Sequence, residues 1–123
     1  MTKTGNTILT AQAVTAGMAA TVFPATGSLN AATYLGLSLQ IVCIYAAAAT
    51  VGVLVELLTS ANNSDFDTEA YCSVTLPIIA AAGTKTLTMA IPYAEDVNYY
   101  RVRITGATGS AATVSINELS VIQ

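Results

Sequence analysis

Asp65, Asp67 and Glu69 put three carboxylates at alternate positions of one short stretch. Oxygen ligands in that pattern suit a hard cation such as calcium. The stretch from Ser60 to Glu69 nevertheless lacks the central Gly and the flanking helices of an EF-hand loop. Asn62, Asn63, Ser64 and Asp65 are turn formers, so we read the segment as a solvated loop between strands, with Phe66 pinning it to the core. Glu95 and Asp96 could join Asp65 or Asp67 as catalytic carboxylates, but nothing in their spacing supports that. Ser and Thr are plentiful, yet the chain has no His. A Ser-His-Asp arrangement is therefore excluded, and the commonest metal ligand is missing. There is no phosphate-binding Gly loop.

The two cysteines, Cys43 and Cys72, are too few for a zinc site. They could form a disulfide, but sequence does not supply the geometry. Two buried, reduced thiols acting as small hydrophobes are the simpler reading. Tyr93, Tyr99 and Tyr100 cluster late in the chain, and tyrosine platforms can bind sugars. Without Trp that signal is weak. Alternation favours Tyr100 pointing inward with Val102, and Tyr99 covering an edge or an interface. Arg101 and Arg103 share the outward face of the same strand and are expected to pair with Glu56 or Glu118. No catalytic, cofactor or metal set emerges, so an enzyme is not expected.

The elements that must carry these residues are strands. No charged residue stands between Lys3 and Glu56. A membrane span needs such a stretch, and Leu35 to Val55 is long enough. Its pattern argues otherwise. Leu35, Leu37, Leu39, Ile41, Cys43 and Tyr45 fall on one parity, which is a strand period. Val51, Val53, Val55 and Leu57 repeat it after a bend at Ala46 to Thr50. No Lys or Arg bias flanks the stretch to orient a span. Val42 and Ile44 break the alternation, as on a strand covered on both faces.

Further short alternating runs follow: Cys72 to Leu76, ended by Pro77; Leu87 to Ile91, stopped by Pro92 after a turn at Gly83-Thr84; Tyr100 to Thr105; and Val114 to Ile116, with Leu119 and Val121 closing the chain. Ile8 to Val14 and Ala19 to Phe23 give weaker strand signals. The sum is an all-β antiparallel sandwich of about seven or eight strands, either jelly roll or immunoglobulin-like. Residues 33–123 form its core, and residues 1–32 an extended N-terminal region expected to make interfaces.

The chain has 123 residues, enough for one domain. Charged residues make up 9% of it, against about 25% ordinarily. Four basic residues and a net charge of −3 leave no footprint for nucleic acid. The N-terminal residues do not read as a secretion signal, because Thr, Gly and Asn follow the single Lys. A cytoplasmic site of synthesis or assembly is expected.

Two stretches carry a resemblance. Val53 to Ser60, followed by the Asn-rich loop and Phe66-Asp67-Thr68, looks like a strand and loop of the form S-x-D/N-x-x-x-F. Tyr99 to Gly106 looks like a late Y-x-R-V-x-I strand. Together they resemble small β-sandwich structural proteins of tailed-phage virions, especially capsid decoration (cement) proteins, over about Val53 to Ile116. Asn62 or Asn63 stands where the first loop usually has Asp. The resemblance implies a non-enzymatic protein on the virion capsid surface, bound to the major capsid protein, often as a homotrimer, and without a cofactor. The alternative is a carbohydrate- or receptor-binding module of a tail or a cell surface.

Overall fold

The computed structural model describes residues 1–122. Nine strands form: β1 (Thr2–Val14), β2 (Thr21–Phe23), β3 (Leu29–Asn30), β4 (Tyr34–Tyr45), β5 (Leu54–Ser60), β6 (Cys72–Thr75), β7 (Gly83–Ala90), β8 (Tyr99–Thr105) and β9 (Ala112–Ile122), with one 3₁₀ turn at Ala94–Asp96. They pair antiparallel in two sheets. The first has the order β1-β9-β4-β7; the second has β2-β8-β5-β6, with β3 also on β8. The chain passes back and forth between the sheets, and β2 and β3 together fill one edge position. This is the strand order of a jelly roll, so of the two sandwich types it is the jelly roll that forms. No helix among the described residues is long and apolar enough to cross a membrane.

Alternation builds the core. Leu37, Leu39, Ile41, Cys43 and Tyr45 of β4 are buried and face Val55, Leu57, Tyr100, Val102 and Ile104 of the second sheet. β4 is the central connector of the first sheet, pairing with β9 along nearly its whole length and with β7 from Ser38 to Tyr45. Val42 is covered only by its strand neighbours, and Ile44 is 50% exposed. The outer side of β4 is thus open, where a strand covered on both faces was expected.

The second alternating run starts later than its pattern predicts. Val51 lies outside β5, joined only to Thr108 by an isolated bridge, and is 53% exposed. Two contacts force the bend before Leu54. The Val53 N–H donates to the Tyr45 hydroxyl at 3.1 Å. Gly52 passes so close to β6 that a Cβ there would sit 1.7 Å from the Leu76 carbonyl oxygen. Gly83-Thr84, read as a turn, instead opens β7; the bend falls on the three alanines before it. β3 has two residues, too few for a periodic signal. At the other end β1 begins at Thr2, well before the expected Ile8, because β9 offers it a ladder down to Ile122.

Candidate assembly surface

The two sheets differ on their outer sides. The second sheet turns Glu56, Arg101 and Arg103 outward. Arg103 donates from Nε and Nη2 to the two carboxylate oxygens of Glu56, both at 2.9 Å. This is the bidentate geometry that makes an Arg–carboxylate pair strong. The Arg103 hydrogen bonds hold the Glu56 carboxyl below its usual range, although partial burial opposes them. A third Arg103 bond runs from Nη1 to the Thr68 carbonyl, 3.2 Å away. Arg101 donates to the Gly27 carbonyl at 2.7 Å, and its guanidinium lies 4.0 Å from the centre of the Phe66 ring. The expected partner Glu56 is therefore correct for Arg103. Glu118 is not a partner for either arginine, because β9 lies in the other sheet and turns Glu118 inward.

The acidic stretch is the loop between β5 and β6. Asn62 organises it: its side-chain oxygen accepts from the Ser64 and Asp65 N–H groups, both at 2.9 Å, and its amide donates to Asp65 at 2.8 Å. Thr59 donates to the Asp67 carboxylate at 2.7 Å. Phe66 and Thr68 then seat the loop over Arg101 and Arg103. Leu58 points outward by register yet is only 4% exposed, so this face is already covered by its own chain. Among the described residues no group of three acidic, Cys or His side chains is placed to hold a metal ion.

The outer side of the first sheet has no such cover. Its register brings outward Thr84, Thr86 and Thr88 of β7, Ser38, Gln40, Val42 and Ile44 of β4, Ser115, Asn117 and Leu119 of β9, and Gly5 and Thr7 of β1. Among the described residues, Lys3 at one corner is the charged side chain on this face; Lys85 and Glu118 have the inward parity. Leu119 and Ile44 are 44% and 50% exposed. Two shallow depressions mark the surface. One of about 300 Å³ is lined by Gly5, Ser38, Gln40, Thr88, Asn117 and Leu119, with Glu118 beneath. The other, of about 280 Å³, lies at the far end around Ala13, Ile44, Ala46 and Thr113. By sequence, Ser38, Gln40, Thr88, Ser115 and Asn117 are the polar parity of their strands, whereas Val42, Ile44 and Leu119 read as apolar strand residues and Gly5 and Thr7 carry no strand signal. The long uncharged stretch points instead to residues 1–32 as the contact region; β4 supplies 12 of its residues.

The remaining candidates separate. Tyr100 is fully buried and Tyr93 is 70% exposed; Tyr99 is half-buried between Asn30 and Ser60. The three tyrosines do not share a platform. Cys43 and Cys72 are both free thiols, in different sheets, with Cys43 buried and Cys72 half-buried. Burial pushes both thiols up, which keeps them protonated and unreactive. Glu95 and Asp96 sit in the 3₁₀ turn. One interior feature escaped the sequence reading. Glu118 is 4% exposed and lies near Tyr34, Tyr100 and Ser120. The Tyr100 hydroxyl and one Glu118 oxygen have no hydrogen-bond partner. Burial first, and the nearby Glu118 second, push the Tyr100 hydroxyl well above the usual phenol range.

No protein-family model and no curated protein matches the chain. Solved structures do. A chain of the T13 IBDV viral particle superposes with a TM-score of 0.53 at 9% identity, over 98% of this chain and 31% of that one. A chain of the infectious bursal disease virus Gx strain gives 0.52 at 12% identity, over 99% of this chain and 34% of that one. This chain thus spans about a third of those viral chains. The SPBc2 prophage-derived protein YomS gives 0.49 at 10% identity, over 97% and 92% of the two chains. At these identities the likeness is one of fold: the jelly roll is shared with chains of viral particles.

Proposed function

We propose that this chain is a non-enzymatic structural protein of a tailed-phage virion. It binds the outer surface of the shell made by the major capsid protein and stabilises it, as a decoration or cement protein. The observation that carries this reading is the contrast between the two outer faces. One is charged and closed by its own loop. The other is nearly uncharged, open and dented, which is the character of an interface core, where charged residues are depleted. With a strand spacing of about 4.8 Å and a rise of about 3.3 Å per residue, four strands of such length present a footprint of several hundred Å². That is comparable to the roughly 800 Å² that each partner contributes to a standard interface.

Two further points support the reading. The two stretches that resemble decoration proteins become neighbouring strands, β5 and β8, paired in register from Leu54–Thr105 to Ser60–Tyr99. The fold recurs in chains of viral particles. The resemblance gives the working form as a symmetric homo-oligomer, with residues 1–32 making interfaces.

The test is incorporation. Particles purified from cells that carry the gene in its native genome are counted for copies of the chain by mass spectrometry and labelled with an antibody against it. Labelled exteriors and a stoichiometric copy number are expected. Particles without the chain, or a chain found only inside them, would overturn the proposal.

A further inference from the structure

A jelly roll has four sheet edges, and unpaired edges invite other strands to add to them. Three of the edges here are guarded. β7 turns Lys85 inward, a known way of spoiling edge pairing. β6 has four residues and is followed at once by Leu76 and Pro77. The β2–β3 edge is broken between Phe23 and Leu29 by Pro24. β1 is different. It has 13 residues and lies at the outside of its sheet, paired on one side only, with β9.

Its first half is the open part. From Thr2 to Thr7 the ladder with β9 is regular; the register shifts come later, after Thr7 and after Leu9, where Ala11 takes a positive φ of 44°. All six residues of Thr2 to Thr7 are exposed, so the second sheet does not lie under them. In an antiparallel ladder alternate residues turn their N–H and C=O groups away from the partner strand, which leaves a row of free donors and acceptors on this side. The segment, Thr-Lys-Thr-Gly-Asn-Thr, contains no Pro and one charge.

We infer that β1 pairs antiparallel with β1 of a second copy, joining two four-stranded sheets into one of eight strands. The same edge on both copies makes the contact self-complementary, as a twofold requires. Pairing centred near Gly5 sets Lys3 against Thr7, so no like charges oppose each other, and the two Lys3 residues lie about 14 Å apart given the rise per residue and strand spacing, beyond the screening length of about 8 Å. The pairing closes, because the same segment of each copy is used up by the twofold contact. It also aligns the two uncharged outer faces side by side. The inference goes beyond the capsid reading and replaces the trimer that the resemblance implies with a pair. Six residues a side is a small contact, so the pair is weak and depends on concentration.

The test uses the purified full-length chain without capsids, so its outcome is separate from that of the incorporation assay. Light scattering after size exclusion is run from 10 to about 300 μM, a range spanning weak dimers. Mass is expected to rise from one copy towards two. Hydrogen exchange of the Thr2–Thr7 amides is expected to slow over the same range. Thr4→Lys, which puts an inward lysine on β1 as Lys85 does on β7, should hold the mass at one copy at every concentration. Thr86→Lys on β7 should leave the pair intact. Far-ultraviolet circular dichroism checks that each variant is folded. A wild-type chain that stays at one copy, forms three, or pairs equally well as Thr4→Lys would overturn the inference.

Discussion

The outer faces of the two sheets are built from the same kind of strand but are finished differently. On the second sheet, Arg103 and Glu56 satisfy each other, Phe66 lies over Arg101, and Leu58 is buried although its register turns it outward. Each of these contacts is made within one chain. On the first sheet, the outward threonines, serine, glutamine and asparagine make few cross-strand bonds, such as Thr7 to Asn117 at 3.0 Å, and Ile44 and Leu119 stand in solvent. Of the eleven charged residues (four basic and seven acidic), six lie on the outer side of the second sheet or in its β5–β6 loop: Glu56, Asp65, Asp67, Glu69, Arg101 and Arg103. The second sheet's outer groups are satisfied within the monomer, whereas those of the first sheet stay open to solvent.

The largest effect is expected from charging the open face. Gln40→Lys combined with Asn117→Lys should cut copies per purified particle by at least tenfold, since desolvated charges without partners oppose binding. Thermal stability should hardly change, because exposed surface substitutions typically stay within about 0.5 kcal/mol. Equal loss of binding and of fold would show that the open face is structural.

A smaller effect is expected on the closed face. Phe66→Ala removes the ring beside Arg101, an interaction of about 0.5–1 kcal/mol when partly exposed, and frees the loop over Leu58. The melting temperature should fall by several degrees while particle binding is kept.

The third test is pH. The Arg103 bonds depress the Glu56 carboxyl, so the unfolded state takes up its proton first as the pH falls. The stabilisation is complete above the unfolded value of about 4.3 and is lost as the pH drops through the lower folded value. Glu56→Gln should flatten that acid limb in thermal melts measured from pH 6 to pH 2.

The smallest effect belongs between the faces. Tyr100→Phe deletes a buried hydroxyl that has no partner, so stability at pH 7 should be unchanged or slightly raised. Burial raises the Tyr100 hydroxyl, so above the unfolded phenol value of about 10 the unfolded state loses its proton first and stability falls as the pH rises towards the folded value. The variant should flatten part of the alkaline limb.

Much of the fold could be read directly from the sequence. Period-two runs marked β4, β6, β7, β8 and part of β9, because their inward residues are large and their outward ones polar. They failed where one side is not buried. From Thr2 to Thr7 both parities of β1 are exposed, so no alternation exists to be seen. In β9 the inward residues Glu118 and Ser120 are polar, while Leu119 and Val121 face out, which inverts the usual pattern. Two-residue β3 is held by its pairing with β8, not by any local preference. Strand order, which separates the jelly roll from the immunoglobulin type, depends on long-range pairing that a linear pattern does not encode. The Glu56–Arg103 pair was foreseeable, since both residues sit at outward positions of predicted strands. The open face was not legible: the uncharged stretch pointed to residues 1–32 as the contact region, and β4, β7 and β9 come together in one face only through sheet register.

In the proposed function, the outer face of the first sheet is the contact with the capsid. Hydrogen exchange of the chain, compared between free protein and purified particles, tests it most directly by reporting each sheet separately. Slower exchange in β4, β7 and β9 is expected on the particle, with the β5–β6 loop unchanged. Protection confined to that loop and β8, with the first sheet exchanging as in the free chain, would contradict it.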